Sequence, residues 1–480
     1  MLTRREFLQS TAATSLLSLL PRTLCAEPSG GAKPNVLFLM VDDMRPELNC
    51  FGVPEVKSPN FDRLAAKGLK FERTYCQFPV CNPSRSSMIT GLRPETLGIF
   101  TNNKDDAFRL KRPDVVTIPQ LFRQNGYHTA SFGKVLHNGI NAEGQWAPSQ
   151  DPPSWEICEE KGFKENALQG EKGDFTKKMT DKKQPDWCWW QSVSEDVEHP
   201  DNWVASQAIA QLEAPHDKPF FIAAGFHKPH DPFIAPSSFF DLYPVGTTKL
   251  PKEPADRSPL LRWSTARNDL FANFTEDDRI ALKRAYHACT SFTDSQVGRV
   301  LDTMDRLKLW DNTIVVLLVD HGYHLWEHDW WGKATASELS ARIPCIVWAP
   351  GLPGMGKSTR GIIESLDMFP TLAELCGLTP PSVIEGKSFV PLLKDPSGAG
   401  KEAAYTVMRS GIPDPHTGHP PNDSRSVRTD RWRYTEWFSG EVALFDHEKD
   451  PGEYYNLASL PEYKATCAQL KEVLHRIQKT

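Results

Sequence analysis

Short, wholly apolar runs separated by longer polar stretches set the pattern of this chain. Asn35–Val41, Phe220–Phe226 and Thr313–Val319 are apolar at nearly every position. A strand exposed on one face would alternate, so runs like these predict strands buried on both faces of a helix-covered parallel sheet. Residues 129–132 and 343–349 read as further strands. Helical spacing runs through 58–68, 117–125, 203–212, 275–309 and 365–376, and another helix is expected to start between Pro83 and Ser86. Thr275 ahead of Glu276-Asp277-Asp278 is a helix-start signal. Strands separated by helices predict the α/β class, with a large mixed, mostly parallel sheet flanked by helices.

Beyond about residue 390 the rhythm changes. Residues 402–408, 426–428, 431–438 and 443–445 read as a small antiparallel sheet, followed by a turn and a terminal helix. The expected organisation is therefore a large domain over 33–390 and a small C-terminal subdomain over 391–480. Residues 138–202 show no clean period and carry Trp146, Trp155, Trp187, Trp189 and Trp190, which suggests an insertion rimming a pocket. At the start, Arg4-Arg5, an apolar run to Leu20 and small residues at Cys25-Ala26 predict a twin-arginine-type export signal over 1–26. That run is too short to span a bilayer, so the mature chain is expected to be exported and free of the membrane. A net charge of -6 over 480 residues gives no basic face for nucleic acid. Cys158 and Cys188 bracket the insertion and make a candidate disulfide, although export of a folded chain favours reduced thiols. Cys50, Cys76, Cys289, Cys345 and Cys376 lie in apolar contexts and read as buried thiols.

The candidate chemistry gathers at strand ends, where open α/β sheets collect ligands. The first run ends in Asp42-Asp43, a pair suited to a metal. The strand at 129–132 leads into Gly133-Lys134-Val135-Leu136-His137, and Phe220–Phe226 leads into His227-Lys228-Pro229-His230. Thr313–Val319 runs into Asp320-His321-Gly322-Tyr323, with Lys333 close behind. Cys81-Asn82-Pro83-Ser84-Arg85 stands at a loop–helix junction, where backbone N–H groups and the helix dipole favour an anion. Taken singly, each feature is common: an Asp pair in a turn, a surface lysine, a packed thiol. Their order along the chain makes them informative.

Cys81, Pro83 and Arg85, with Thr90-Gly91 after them, resemble the signature of type I sulfatases. Gly133 to His137, Gly225 to His230, and histidine after Asp320 are most similar to the iduronate-2-sulfatase branch. The resemblance implies an alkaline phosphatase-like fold in which a maturation enzyme, helped by Ser84, oxidises Cys81 to formylglycine. The hydrated aldehyde then attacks sulfur. It also implies one Ca²⁺ held by Asp42, Asp43, Asp320, His321 and the matured Cys81, a donor set that suits a hard cation. Arg85, Lys134 and Lys333 would neutralise sulfate oxygens, His137 would hold the formylglycine hydroxyl, and His227 would protonate the leaving oxygen. The implied substrate is a sulfated carbohydrate cut at a chain end, with Lys228, His230 and Arg93 placed to pair a uronate carboxylate. Tyr323 departs from the branch, which has tryptophan there. Two alternatives stay open: a phosphoesterase of the same superfamily using two zinc ions, and a non-catalytic relative that binds sulfated glycans.

Overall fold

The computed structural model describes residues 33–161, 170–180, 188–195, 198–259, 268–409, 423–438 and 440–479. The segment expected to be an export signal, with Cys25, and Trp187 lie outside them. Residues 34–480 form one compact unit. Among the described residues, no helix is long and apolar enough to cross a membrane.

The main sheet uses β1 (Asn35–Val41), β2 (Leu69–Tyr75), β3 (His128–Gly133), β4 (Ile157–Glu159), β5 (Phe220–Phe226), β6 (Thr313–Val319), β7 (Arg342–Trp348), β8 (Ser358–Thr359) and β9 (Ile363–Glu364). Their spatial order is β8-β2-β7-β6-β1-β5-β3-β4, with β9 also on β2. From β6 to β4 every neighbour is parallel, whereas β7 runs antiparallel to both β6 and β2. Helices α1 (Pro59–Lys67), α2 (Cys81–Thr90), α3 (Ile118–Gln124), α4 (Pro200–Glu213), α5 (Glu276–Arg306), α6 (Met368–Leu375) and α7 (Lys464–Lys479) complete the frame. The apolar runs of β1, β5 and β6 fill the main hydrophobic core, as their lack of alternation requires.

Register sets the site. Val41 pairs with Val319 on one side and Phe226 on the other, and Gly133 pairs with Gly225. The residues that follow these strand ends therefore emerge at one level: Asp42, Asp320, His227 and Lys134. Four adjacent strands bring together groups separated by up to 278 positions in sequence.

The expected elements appear close to their predicted bounds, and Thr275 and Asp278 form a reciprocal capping box on α5. Strand β2 was not anticipated, because Lys70, Glu72 and Arg73 interrupt its apolar positions. Two expectations are corrected. The insertion is not structureless: β4 extends the main sheet, and Trp189–Val193 pairs with Phe233–Pro236 and Lys172–Asp174 in a three-stranded sheet. Cys158 and Cys188 are both free, because Cys158 packs on the main core from β4 while Cys188 belongs to a second cluster around α5.

Strands β10 (Ala404–Met408), β11 (Ser424–Arg428), β12 (Trp432–Trp437) and β13 (Val442–Asp446) make the antiparallel C-terminal sheet, with α7 against it. Its core includes Phe78, with Val80 packed against it, just ahead of Cys81. Val407 N–H donates to the Gln77 carbonyl at 2.8 Å, and Thr406 Oγ1 donates to the Cys76 carbonyl at 2.8 Å. The small sheet thus anchors the approach to the signature helix.

At the end of β3, Gly133 has φ +72°, and a Cβ there would meet the Gly225 carbonyl oxygen and the Val204 side chain. Gly133→Ala should therefore cost about 3 kcal/mol or more through strain and collision. A denaturant melt showing wild-type stability would contradict this close approach of β3 and β5.

Candidate active site

Helix α2 starts at Cys81 itself, two residues earlier than expected, and Pro83 fits in its first turn, where its missing N–H costs nothing. All ten residues of α2 are buried. Its N-terminus thus presents the Cys81 thiol, rather than a loop residue, to the strand ends.

Three groups close on that sulfur. Lys333 Nζ lies 3.3 Å from Sγ, His321 Nε2 3.4 Å and Lys134 Nζ 3.9 Å. His137, half-buried, is also within hydrogen-bonding contact of Cys81, and burial holds its imidazole below the ordinary range. Burial and the Asp42 carboxylate oppose ionisation of Cys81. Lys134, Lys333 and His321 outweigh both and bring the thiol well below its usual range.

Behind the thiol lie the carboxylates. Asp43 takes a left-handed backbone, φ 60°, and its N–H donates to Asp320 Oδ1 at 3.1 Å. Its carbonyl accepts from Tyr286 Oη at 2.8 Å, and its Oδ1 accepts from Lys333 Nζ at 2.6 Å. Asp42 ion-pairs with Lys134, and its Oδ1 lies 3.2 Å from Arg85 Nη2. Arg85 is wholly buried and donates from Nε to Asp320 Oδ2 at 2.8 Å and from Nη1 to the carbonyls of Lys134 and Val135. Its guanidinium therefore ties carboxylates and strand ends together. Ser84 Oγ donates to the Asp320 carbonyl at 2.5 Å, so it too braces the site.

Ligand atoms of Asp42, Asp43, Cys81 and His321 lie within 4.8 Å of one another, and Asp320 Oδ2 is 3.6 Å from His321 Nε2. Neither oxygen of Asp42, nor Oδ2 of Asp43, receives a hydrogen bond, although all are buried. Burial lifts the Asp320 carboxyl above its usual range despite Arg85, while Lys134 and Arg85 hold Asp42 below it. The cluster keeps buried carboxylate oxygens that no donor satisfies, which fits a hard divalent cation. Asp43, His230 and Asp231 form a second such grouping, which shares Asp43.

His227 stands beside this cluster. Its N–H donates to Asp201 Oδ1 at 2.8 Å, its Nδ1 faces the same oxygen at 3.4 Å, and its Nε2 lies 3.4 Å from Glu160 Oε1. Burial opposes its charge, yet Asp201 and Glu160 raise the imidazole above its ordinary value. Lys134 acts electrostatically on both His227 and Glu160, so this pair borders the cysteine site.

The structure thus brings together Asp42, Asp43, Cys81, Arg85, Lys134, His137, Asp320, His321 and Lys333, with His227 alongside. Two of the three expected carboxylate anchors, Arg93 and Lys228, are corrected. Arg93 forms a two-pronged pair with buried Glu364, and Lys228 Nζ donates to the carbonyls of His230 and Pro232. Tyr323 is buried, its ring stacked on Tyr286 and its hydroxyl 3.4 Å from Asp231. Glu160, Asp201 and Tyr286 went unnoticed in the sequence. Asp201, beside a helix start, was the only one with a local signal.

A profile described as Sulfatase matches residues 34–378, and one described as N-sulphoglucosamine sulphohydrolase, C-terminal, matches residues 326–480. This chain belongs to the sulfatase family. A sulfatase of Formosa agariphila is 32% identical over 93% of this chain and 87% of its own length. The human iduronate 2-sulfatase is 31% identical over 84% of each chain. Among solved structures, a protein in complex with its substrate D-glucosamine-2-N,6-O-disulfate superposes with a TM-score of 0.73 at 22% identity, over 93% of this chain and 98% of that one. The phosphonate monoester hydrolase of Agrobacterium radiobacter gives 0.75 at 21% identity, over 93% and 96%. Likeness at that level speaks for the fold, which is the alkaline phosphatase-like sulfatase fold, and the family makes the chain a sulfuric ester hydrolase.

If the carboxylate cluster binds a divalent cation, adding Ca²⁺ should raise the melting temperature. The gain is about 2.7 kcal/mol at a hundredfold excess over Kd, and Asp43→Asn should lose most of it. A melt indifferent to both Ca²⁺ and chelator would contradict the assignment.

Proposed function

We propose that this sulfatase removes sulfate from a carbohydrate, with Cys81 matured to formylglycine as nucleophile and one Ca²⁺ held by Asp42, Asp43, Asp320 and His321. One observation carries the reading: at the first residue of α2, a buried cysteine is touched by two lysines and a histidine that also bear on a carboxylate cluster. Once oxidised and hydrated, residue 81 supplies a hydroxyl that attacks sulfur and a second hydroxyl that lets sulfate leave.

The residues around it divide the remaining work. Lys134 and Lys333 balance charge on the sulfate oxygens as the bond to the sugar oxygen lengthens. His137 holds a hydroxyl of the matured residue. His227 gives its proton to the departing alkoxide, an otherwise poor leaving group. Arg85 acts one layer back, fixing Asp42 and Asp320.

The sugar reading draws on similarity to iduronate 2-sulfatase and on the solved neighbour whose substrate is a glucosamine disulfate. Trp146 is 39% exposed and donates its indole N–H to Asn138 Oδ1 at 3.0 Å, next to His137, but the Lys104 ammonium lies over its ring, 4.1 Å from the centroid. Trp155, Trp189 and Trp190 are buried. Arg93 and Lys228 being committed elsewhere, a uronate carboxylate would have to rely on other groups. Export by the Arg4-Arg5 leader would place the enzyme where such polymers are met.

Mass spectrometry of protein co-produced with a maturation enzyme should find an aldehyde in place of the Cys81 thiol. Active protein carrying only unmodified cysteine would sink the mechanism. The division of labour is also testable. His227→Ala should slow sugar sulfates at least a hundredfold, in line with the ~10²–10⁴ typical of general acids, and barely affect an activated aryl sulfate, whose phenolate leaves unaided. Lys134→Ala and Lys333→Ala should slow both classes. Turnover of phosphonate or phosphate monoesters with all sulfated oligosaccharides untouched would favour the phosphoesterase alternative.

A further inference from the structure

The general-acid reading of His227 leaves open what keeps that histidine protonated and aimed. Both ring nitrogens face carboxylates. Asp201, near the start of α4, is wholly buried and accepts the backbone N–H groups of His227 and Lys228 at 2.8 and 2.9 Å, so its carboxylate is fixed. That leaves its Oδ1 opposite Nδ1 at 3.4 Å. On the other side, Glu160 follows directly on β4, the strand added to the sheet edge by the insertion, and its Oε1 lies 3.4 Å from Nε2. Its backbone faces solvent, but its side chain is only 21% exposed.

We propose that Glu160 is a positioning residue for the general acid: together with Asp201 it clamps His227 as the imidazolium and holds Nε2–H at the mouth of the site until the sugar oxygen takes its place. The inference rests on His227 as the acid and adds the residue that poises it. Asp201 is fixed behind the ring by two backbone N–H groups and faces Nδ1 as an ion pair, not as a hydrogen bond. Nε2 is therefore the nitrogen left to exchange partners, and Glu160 is the partner that an incoming sugar displaces. On turnover the Nε2–H bond breaks, the O–H bond forms on the departing sugar oxygen, and neutral imidazole is reprotonated from solvent.

The charges facing His227 support this account. Asp201 and Glu160 favour the cation, whereas Lys134 from the end of β3 and the adjacent His199 disfavour it. Lys228 is occupied by two carbonyls, and Lys161 pairs with Glu198. Glu160 is thus the adjustable member of the set. It lies on an element outside the signature motifs, and neither Cys81 nor the carboxylate cluster touches it.

The test uses the matured full-length enzyme and a pH–rate profile. The acid acts only while protonated, so kcat/KM on a sugar sulfate must fall as pH rises through the His227 pKa. Removing the neighbouring negative charge lowers that pKa, so Glu160→Gln should move this alkaline limb to lower pH by about one unit or more, with an activated aryl sulfate unaffected. Histidine-selective ¹⁵N NMR should show the same shift for the resonance that disappears in His227→Gln. Glu160→Ala should behave like Glu160→Gln, which guards against one misfolded variant. If His227→Ala spares the aryl sulfate but neither Glu160 variant moves the limb or the resonance, the role of Glu160 is overturned and the general acid stands. If His227→Ala slows both substrates equally, the acid reading fails and the role of Glu160 fails with it.

Discussion

Three carboxylates buried side by side would not remain ionised unaided, and the architecture around Asp42, Asp43 and Asp320 answers that constraint. Burial penalises each charge and mutual repulsion adds to it. The chain supplies Arg85 from α2, Lys134 from the end of β3, and His321 and Lys333 from beyond β6. These contacts tie the signature helix to the sheet. Arg85 alone links Asp42, Asp320 and the carbonyls after β3, so the helix that presents Cys81 is fixed by the groups that balance the cluster. A divalent cation would engage the carboxylate oxygens that no hydrogen-bond donor reaches.

The same charges set the Cys81 thiol apart from that of Cys76. Cys76 and Cys81 are five positions apart and both fully buried. Burial drives the Cys76 thiol up, and the nearby Asp320 charge drives it further. At Cys81 the burial penalty is equally present, but two ammonium groups and an imidazole reverse it. The difference lies in where the cations point, and the C-terminal sheet contributes by holding Gln77 and Cys76 as the chain enters α2. That sheet has its own core yet supports the catalytic one through these backbone contacts.

Much of this was legible in the sequence because the site is built at strand ends. An apolar run that stops at a charged or imidazole residue marks both the strand and its ligand, and that reading located Asp42, Lys134, His227 and Asp320 together. It was weakest where side chains act through tertiary contact alone. Glu160 sits in the insertion with no motif around it, and Tyr286 looks like any core position of a long helix, yet its hydroxyl holds the Asp43 carbonyl. Arg93 and Lys228 show the opposite error: cations near a motif suggested a substrate contact, whereas each answers a buried acceptor of the protein itself. Trp189 and Trp190 misled for a similar reason, since these aromatic residues of an apparently loose segment proved to pack under a small sheet.

The central claim is that residue 81 attacks sulfur and needs two hydroxyls to finish the reaction. Cys81→Ser keeps one hydroxyl in that place and removes the second, so it separates attack from release. Incubated with a sulfated substrate and analysed by peptide mass spectrometry, this variant should gain one SO₃ group at position 81, up to one equivalent, and then stop. Continued turnover by the variant, or an unmodified peptide at position 81 after sulfate has been released, would contradict the account.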